Sequence, residues 1–566
     1  MLPDGGSGER AGALAAHLEL GVRSRWDRID RRTKHTFLIL FVVSLLAWGA
    51  EVAAPTFNVD DYGHSLRHEA PHWTKLGRWA ADVVYYGILG GWFAPWVHLL
   101  VGLVLNVAAV MVVARMWCLE RARSTTPVIV ACSLFLTFPY FCDAYSFNTG
   151  QVQIPLANLL AATGYAVAGR KLRFTVAGAG LIMLGLALYQ VSFNFIAVAV
   201  VVQLLLHLVA SESFRQFVER VRTELLLKML ALPLGVALYG GSLKVAFSYL
   251  PERNSRWSSF SDSHFVDSPA DAADKLVRIW QYAGHHLLAR DLLLPTSLKL
   301  AIFAVVLVAV LAALVSSVLA SRAQGPGRAR QIVARVLTVA LLTVASFVCV
   351  YGTDLATTRS VLGTGYRHTY PMGILYAGFF MVGVLLLRPV LARHAYLLLG
   401  VWIVARFVLA DNVWSFNQQR LNEFDAALAS RIVTRIENHP EFTDFKGLHV
   451  ALVGLLPNKA KPAGYSTVPE GKSHSSLHRS VFQAEHSKYA IFRTLGLELE
   501  EPSKKQWKAA KRHARKRKPW PHRDSVTIKD DLAIVVLGPG KPPQVVKTDR
   551  KAFRRLFGSK RKKKDK

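Results

Sequence analysis

The stretch FNVDDYGHS, residues 57–65, sets Asp60 beside Asp61. Two adjacent carboxylates repel unless a proton or a cation relieves them. As a general base, Asp60 or Asp61 would take the proton of an attacking hydroxyl. As ligands, their hard oxygens would favour magnesium or manganese. A helix cap or a solvated loop is the structural alternative. Farther along stand cations that can hold a phosphate, Arg78, Lys244, Arg359 and Arg367; guanidinium forks suit phosphate and lipid headgroups alike. Asp143 in FPYFCDAYSFNTGQ and Asp354 in YGTDLATTRS are further acids, and Tyr189–Gln190 in LALYQVSFNF falls on a very short turn, where interfacial anchoring is the alternative. A carboxylate to accept a hydroxyl proton, with cations to steady a departing phosphate, is the equipment of group transfer from phosphate to hydroxyl.

What must position these residues is a membrane bundle. Of the 566 residues 52% are apolar and 19% charged, and the apolar residues fall in blocks without the alternation of a closed barrel. Runs of about 17–25 apolar residues suffice to cross the hydrocarbon core as helices. Eleven are read, near 35–55, 93–117, 126–141, 153–169, 173–189, 191–210, 227–250, 298–320, 335–352, 368–388 and 395–411. The first follows basic, non-apolar sequence and is long enough to span, so it reads as a retained helix rather than a cleaved signal. Polar residues inside spans are few, with Lys244 and Arg406 the clearest. Cys118, Cys132, Cys142 and Cys349 lack CxxC spacing, and neither a metal site nor a disulfide framework is expected.

Charge gives the orientation. With a cytoplasmic amino terminus the inside segments carry 22 Lys and Arg, against about 10 in the longer outside loops, which is the positive-inside pattern. Asp60 and Asp61 then face outward, as do the long loops 56–92 and 251–297, the latter with a short helix expected at about 269–283. Residues 501–566 hold 23 Lys or Arg against 6 Asp or Glu, a net +17 of the formal +31. Long segments translocate largely regardless of charge, so this end is also placed outside.

The expected fold is an all-α polytopic membrane protein with a small C-terminal α/β soluble domain. Residues 1–34 form a basic cytoplasmic terminus, 35–411 the transmembrane domain, 412–500 the α/β domain, with strands in HVALVGLL and DLAIVVLG, and 501–566 a basic extension that includes a strand at 531–538.

Several pieces in order, NVDDYGHS after the first helix, GRWAADVV, TFPYFCDAYSF, ALYQVSF and RLNEFDAALASRIVTRIENHPEF…VALVG, make the chain resemble the glucosyl transferase GtrII family of O-antigen modification proteins over about residues 35–500. The resemblance implies a GT-C-type enzyme of the bacterial inner membrane. It would take hexose, glucose by the family name, from a polyprenyl-phosphate carrier to a hydroxyl of a cell-surface glycan such as lipopolysaccharide, on the periplasmic face. It implies catalytic roles for Asp60 and Asp61. His64 stands where the family's D-D-Y/W-G-R pattern has arginine, leaving Arg67 or Arg78 for the phosphate. The basic end would touch anionic lipid or lipopolysaccharide phosphates and not nucleic acid. A flippase or transporter for a lipid-linked sugar is the alternative; such folds show midplane coupling groups and internal repeats, and no repeat is found here.

Overall fold

The computed structural model describes residues 29–538 apart from 60, 65–72, 93, 118–123, 170, 250–267, 269, 271–272, 278, 281–292, 321–327, 357–365, 458–478 and 486. Every apolar block falls on a helix: α1 Arg31–Ala53, α2 Pro95–Met116, α3 Thr126–Leu136, α4 Gln153–Val167, α5 Leu172–Leu188, α6 Ser192–Ala210, α7 Leu226–Ser248, α8 Thr296–Ala320, α9 Arg328–Val350, α10 Met372–Leu386 and α11 Val390–Glu437. Eight helical stretches among the described residues are long and apolar enough to cross a membrane. The blocks on α4, α5 and α10 are helices of 15, 17 and 15 residues, short of the roughly 20 typical of a crossing, and are not among those eight. The α10 helix is apolar because it is enclosed, with every residue from Met372 to Val384 buried.

The chain forms two compact units. The first holds residues up to Phe57, His68–Gln419 and Ser466–Leu477. Within it α4 packs on α2 and α5, α5 on α7, α10 on α3 and α8, and α6 on α9. Small residues permit the tightest of these contacts: a Cβ on Gly164 of α4 would lie 2.5 Å from the Gly178 carbonyl of α5, the close backbone approach that holds helices together in lipid. Arg335, fully buried on α9, donates to the Ser211 and Leu208 carbonyls at 2.9 and 3.0 Å. Its charge thereby meets the negative end of α6.

The second unit comprises Asn58–Arg67, Arg420–Tyr465 and His478–Lys566; the single helix α11 runs through the division. A three-stranded sheet orders β1 (His449–Val453), β3 (Leu532–Val536) and β2 (Val526–Lys529) as β1-β3-β2. The β1–β3 pair is parallel, with His449 opposite Leu532, and the β2–β3 pair antiparallel. Asp530, at φ 54°, takes the left-handed conformation in the two-residue turn between β2 and β3, which aspartate tolerates better than most residues. Helix α12 (Lys504–Ala514) lays Trp507, Ala510 and Ala514 on Ala451, Val453, Ile534 and Val536. The central strand β3 thus follows residue 500, and this sheet is built from both sides of the boundary drawn there from sequence. Between β1 and α12, the segment SVFQAEHSKYAIFRTLG holds a 3-10 turn at Val481–Gln483 and one helical turn at Ala490–Arg493.

Candidate active site

Four connections of the first unit meet around Tyr189. The turn Trp73–Arg78 is shaped locally: the Thr74 backbone N–H donates to the Asp82 carboxylate at 2.6 Å, its hydroxyl also donates there, and Gly77 takes φ 78°. A Cβ at Gly77 would lie 2.8 Å from the Tyr239 hydroxyl, so position 77 requires glycine for both backbone and space. The Arg78 Nε–H donates to Gln190 Oε1 at 3.0 Å, and its guanidinium lies 4.5 Å from the centroid of the Tyr189 ring. The Gln190 amide donates to the Leu76 carbonyl at 2.9 Å and to the Tyr239 hydroxyl at 3.0 Å, while that hydroxyl donates to the Gly77 carbonyl at 2.9 Å. Gln190 therefore ties the Trp73–Arg78 turn to the α5–α6 connection and to α7.

Opposite stands the turn Tyr366–His368. The Arg367 guanidinium covers the Phe147 ring at 4.4 Å, and its backbone N–H donates to Asp143 Oδ2 at 3.1 Å. The environment of Tyr189 shows the convergence: burial raises its pKa, the charges of Arg78 and Arg367 oppose that, and Asp143 and Asp354 add to it. Among the described residues its buried hydroxyl has no hydrogen-bond partner. Burial, then the charge of Arg367 and of Arg78, hold His368 at about 3, so its imidazole is neutral near pH 7.

Asp354 lies on the short helix Gly352–Ala356, which Asn194 of α6 fastens by donating to the Val350 carbonyl at 2.9 Å and accepting from the Thr353 N–H at 2.8 Å. Burial raises its pKa to about 7, and Lys275 works against that. Lys275, itself buried, donates to the Asp354 carbonyl at 3.3 Å.

The acidic turn belongs to the other unit. Asp61 is fully buried. It begins the helical turn Asp61–His64, and exchanges two hydrogen bonds with Asn58, each 3.1 Å: the Asn58 N–H donates to its carboxylate, and its own N–H donates to Asn58 Oδ1. That is the reciprocal pattern of a helix start. Next to it, Tyr62 has its pKa raised by burial first, then by the charges of Asp425 and Asp61. Asp60, Arg67 and Arg359 lie outside the described residues. Among the described residues no group of three or more His, Cys, Asp or Glu is placed to hold a metal ion.

Of the residues singled out by sequence, Arg78, Asp143, Tyr189, Gln190, Asp354 and Arg367 come together. Lys244 is exposed on α7, and among the described residues no hydrogen bond or ion pair joins it to them. Sequence reasoning missed Tyr239, Lys275 and His368; the last adjoins Arg367, which it had singled out. It also passed over two buried acids inside apolar blocks. Glu51 accepts from the Thr56 hydroxyl at 2.9 Å, and Asp411 of α11 has neither carboxylate oxygen paired among the described residues. An acid within an apolar run was the available signal.

These features define a helical membrane protein whose membrane unit gathers two arginines, a neutral histidine and a buried phenol, a setting suited to an anionic group. The chain belongs to the glucosyl transferase GtrII family, whose model matches residues 49–382. The match takes in every site residue proposed from sequence and ends before α11 and the residues that follow it. Neither the curated proteins nor the solved structures contain a match.

Proposed function

We propose that the protein transfers a hexosyl group, glucose, from a polyprenyl-phosphate carrier to a hydroxyl of a cell-surface glycan such as the O-antigen of lipopolysaccharide, at the periplasmic face of the bacterial inner membrane. The observation that carries this reading is the pairing of Arg78 and Arg367 about Tyr189, whose hydroxyl has no protein partner among the described residues. In the reaction the acceptor oxygen bonds to the anomeric carbon as the bond from that carbon to the phosphate oxygen breaks. The hydroxyl proton passes to a carboxylate, a role that the family resemblance gives to Asp60 or Asp61, and the phosphate leaves on its carrier with an added negative charge. Arg78 and Arg367 stabilise that charge, which is larger after bond breaking than before, so their contribution falls on the rate. The neutral His368 and the Tyr189 hydroxyl each supply a hydrogen-bond donor. Membrane embedding follows from the donor, whose prenyl chain stays in the bilayer and presents the scissile bond at headgroup depth.

The test is transfer from a radiolabelled polyprenyl-phosphate sugar by protein purified in detergent. Asp60→Asn and Asp61→Asn keep a side-chain acceptor, so the Asn58 turn persists. At least one of them loses roughly 10²- to 10⁴-fold in rate, as removal of a general base does, with elution and melting like the parent. If both keep more than about half the parent activity, the base is elsewhere and Asp143 and Asp354 become the candidates. Transfer from a nucleotide sugar but not from the lipid-linked donor overturns the donor assignment.

A further inference from the structure

Helix α12 carries its charge on one flank. Trp507, Ala510 and Ala514 face the sheet. With 3.6 residues per turn, Lys504, Lys505, Lys508, Lys511, Arg512 and Arg515 fall within an arc of about 120° beside that buried stripe, and all six are exposed. Lys516, Arg517 and Lys518 continue the surface, also exposed, and no acid occurs from Ser503 to Lys518. Among the described residues none of these nine cations takes part in an ion pair. The crowding is felt locally: His513 is held below its ordinary pKa by burial and then by the charges of Arg517, Lys529 and Lys516. An uncompensated positive face repels itself, and a phosphate-bearing polyanion would relieve it.

The aromatic residues argue against a nucleic acid as that polyanion. Binding of single strands relies on aromatic rings free to stack on bases, and the two tryptophans here are already engaged. Trp507 has Lys488 and Lys511 at 5.6 and 5.4 Å from its ring centroid, and Trp520 has Arg431 and Arg435 at 5.4 and 4.2 Å. What the surface offers is ammonium and guanidinium groups on a single side, the form that recognises a sheet of phosphates without reading anything attached to them. A bilayer is the phosphate sheet always near this chain, because α11, part of which is apolar enough to span, continues without a break into this unit. Helix α12 and residues 515–518 lie beyond the residues that match the family model.

We propose that the α12 flank and residues 515–518 form a docking surface for the anionic phospholipid headgroups of the bilayer in which the chain resides. The experiment places the full-length protein in nanodiscs of phosphatidylcholine alone or with about 30% phosphatidylglycerol and follows lysine acylation by mass spectrometry. On the anionic discs at low salt, Lys504, Lys505, Lys508 and Lys511 react at least roughly threefold more slowly, while Lys446, exposed on the same unit, changes far less. Salt at about 0.5 M restores the rates, since the Debye length then falls to a few ångströms. In the triple variant Lys505→Gln, Lys508→Gln, Arg512→Gln, the protection of Lys504 and Lys511 is lost without a change in melting. Equal rates on the two discs overturn the proposal. So does protection that appears only when lipopolysaccharide is added, or that a DNA duplex at the same phosphate concentration provides more strongly than the anionic disc.

Discussion

At the scale of single residues, the arrangement about Arg78 depends on Gln190. One amide accepts from the guanidinium and donates to both a backbone carbonyl and a phenol, so the side chain is committed to protein groups at both ends. Its part is to hold Arg78 rather than to touch a substrate. Replacing Gln190 with leucine removes all three bonds, and the expected result is a loss of about tenfold or more in kcat/KM for the lipid-linked donor, with the protein still folded. Gln190→Glu keeps the acceptor for Arg78 and should recover part of that loss; if the two variants behave alike, positioning of Arg78 is not what Gln190 contributes.

Asp354 gives a prediction with a definite sign. Its folded pKa, about 7, stands above the ordinary 3.8. Between these values the unfolded chain has released a proton that the folded chain retains, so the folded state loses stability as pH rises through this window. Asp354→Asn removes the effect. From pH 5 to pH 7.5 the parent should lose on the order of 2 kcal/mol more than the variant, read from thermal unfolding of both in one detergent. Parallel profiles would show that Asp354 is not held protonated.

At the scale of elements, the sheet of the second unit decides what truncation does. β3 lies between β1 and β2 and supplies Leu532, Ile534 and Val536 to the core beneath α12. Ending the chain after residue 500 deletes β2, β3 and α12 and leaves β1 without its partner, so the remaining part of the unit should become sensitive to protease. Ending it after residue 538 removes the last basic segment and leaves all three strands in place. Limited proteolysis of the two truncated proteins tests this, and equal resistance would mean that β1 finds its support elsewhere.

At the scale of the whole molecule, the connections that gather at Tyr189 are four: those after α1 and after α3, that between α5 and α6, and that between α9 and α10. If all eleven apolar blocks cross, and the amino terminus is cytoplasmic as the charge distribution suggests, these connections share the outward end of the bundle. Alkaline phosphatase fused after residue 440 is accordingly expected to be active in a bacterial host, and a fusion within 321–334 inactive. The reverse pair of results would turn the site toward the cytoplasm and remove the periplasmic acceptor from the proposal.

Taken alone, the sequence determined what depends on composition along the chain. The apolar blocks had to become helices because lipid offers backbone groups no partner but one another, and the order of short motifs was enough to indicate the family. It also marked Arg78, Asp143, Tyr189, Gln190, Asp354 and Arg367 one by one. That these six share one end of a bundle, while Lys244 is exposed, was decided by packing: which side of a helix a residue takes depends on neighbours hundreds of positions away, as when Arg367 meets Asp143. The lengths of α4, α5 and α10 were not legible for the same reason, since a helix enclosed by protein is as apolar as one facing lipid. In the second unit the strands HVALVGLL and DLAIVVLG were legible as partners of one domain across the boundary drawn at residue 500, but only tertiary pairing reveals that β3 lies parallel to β1 and is the centre of the sheet.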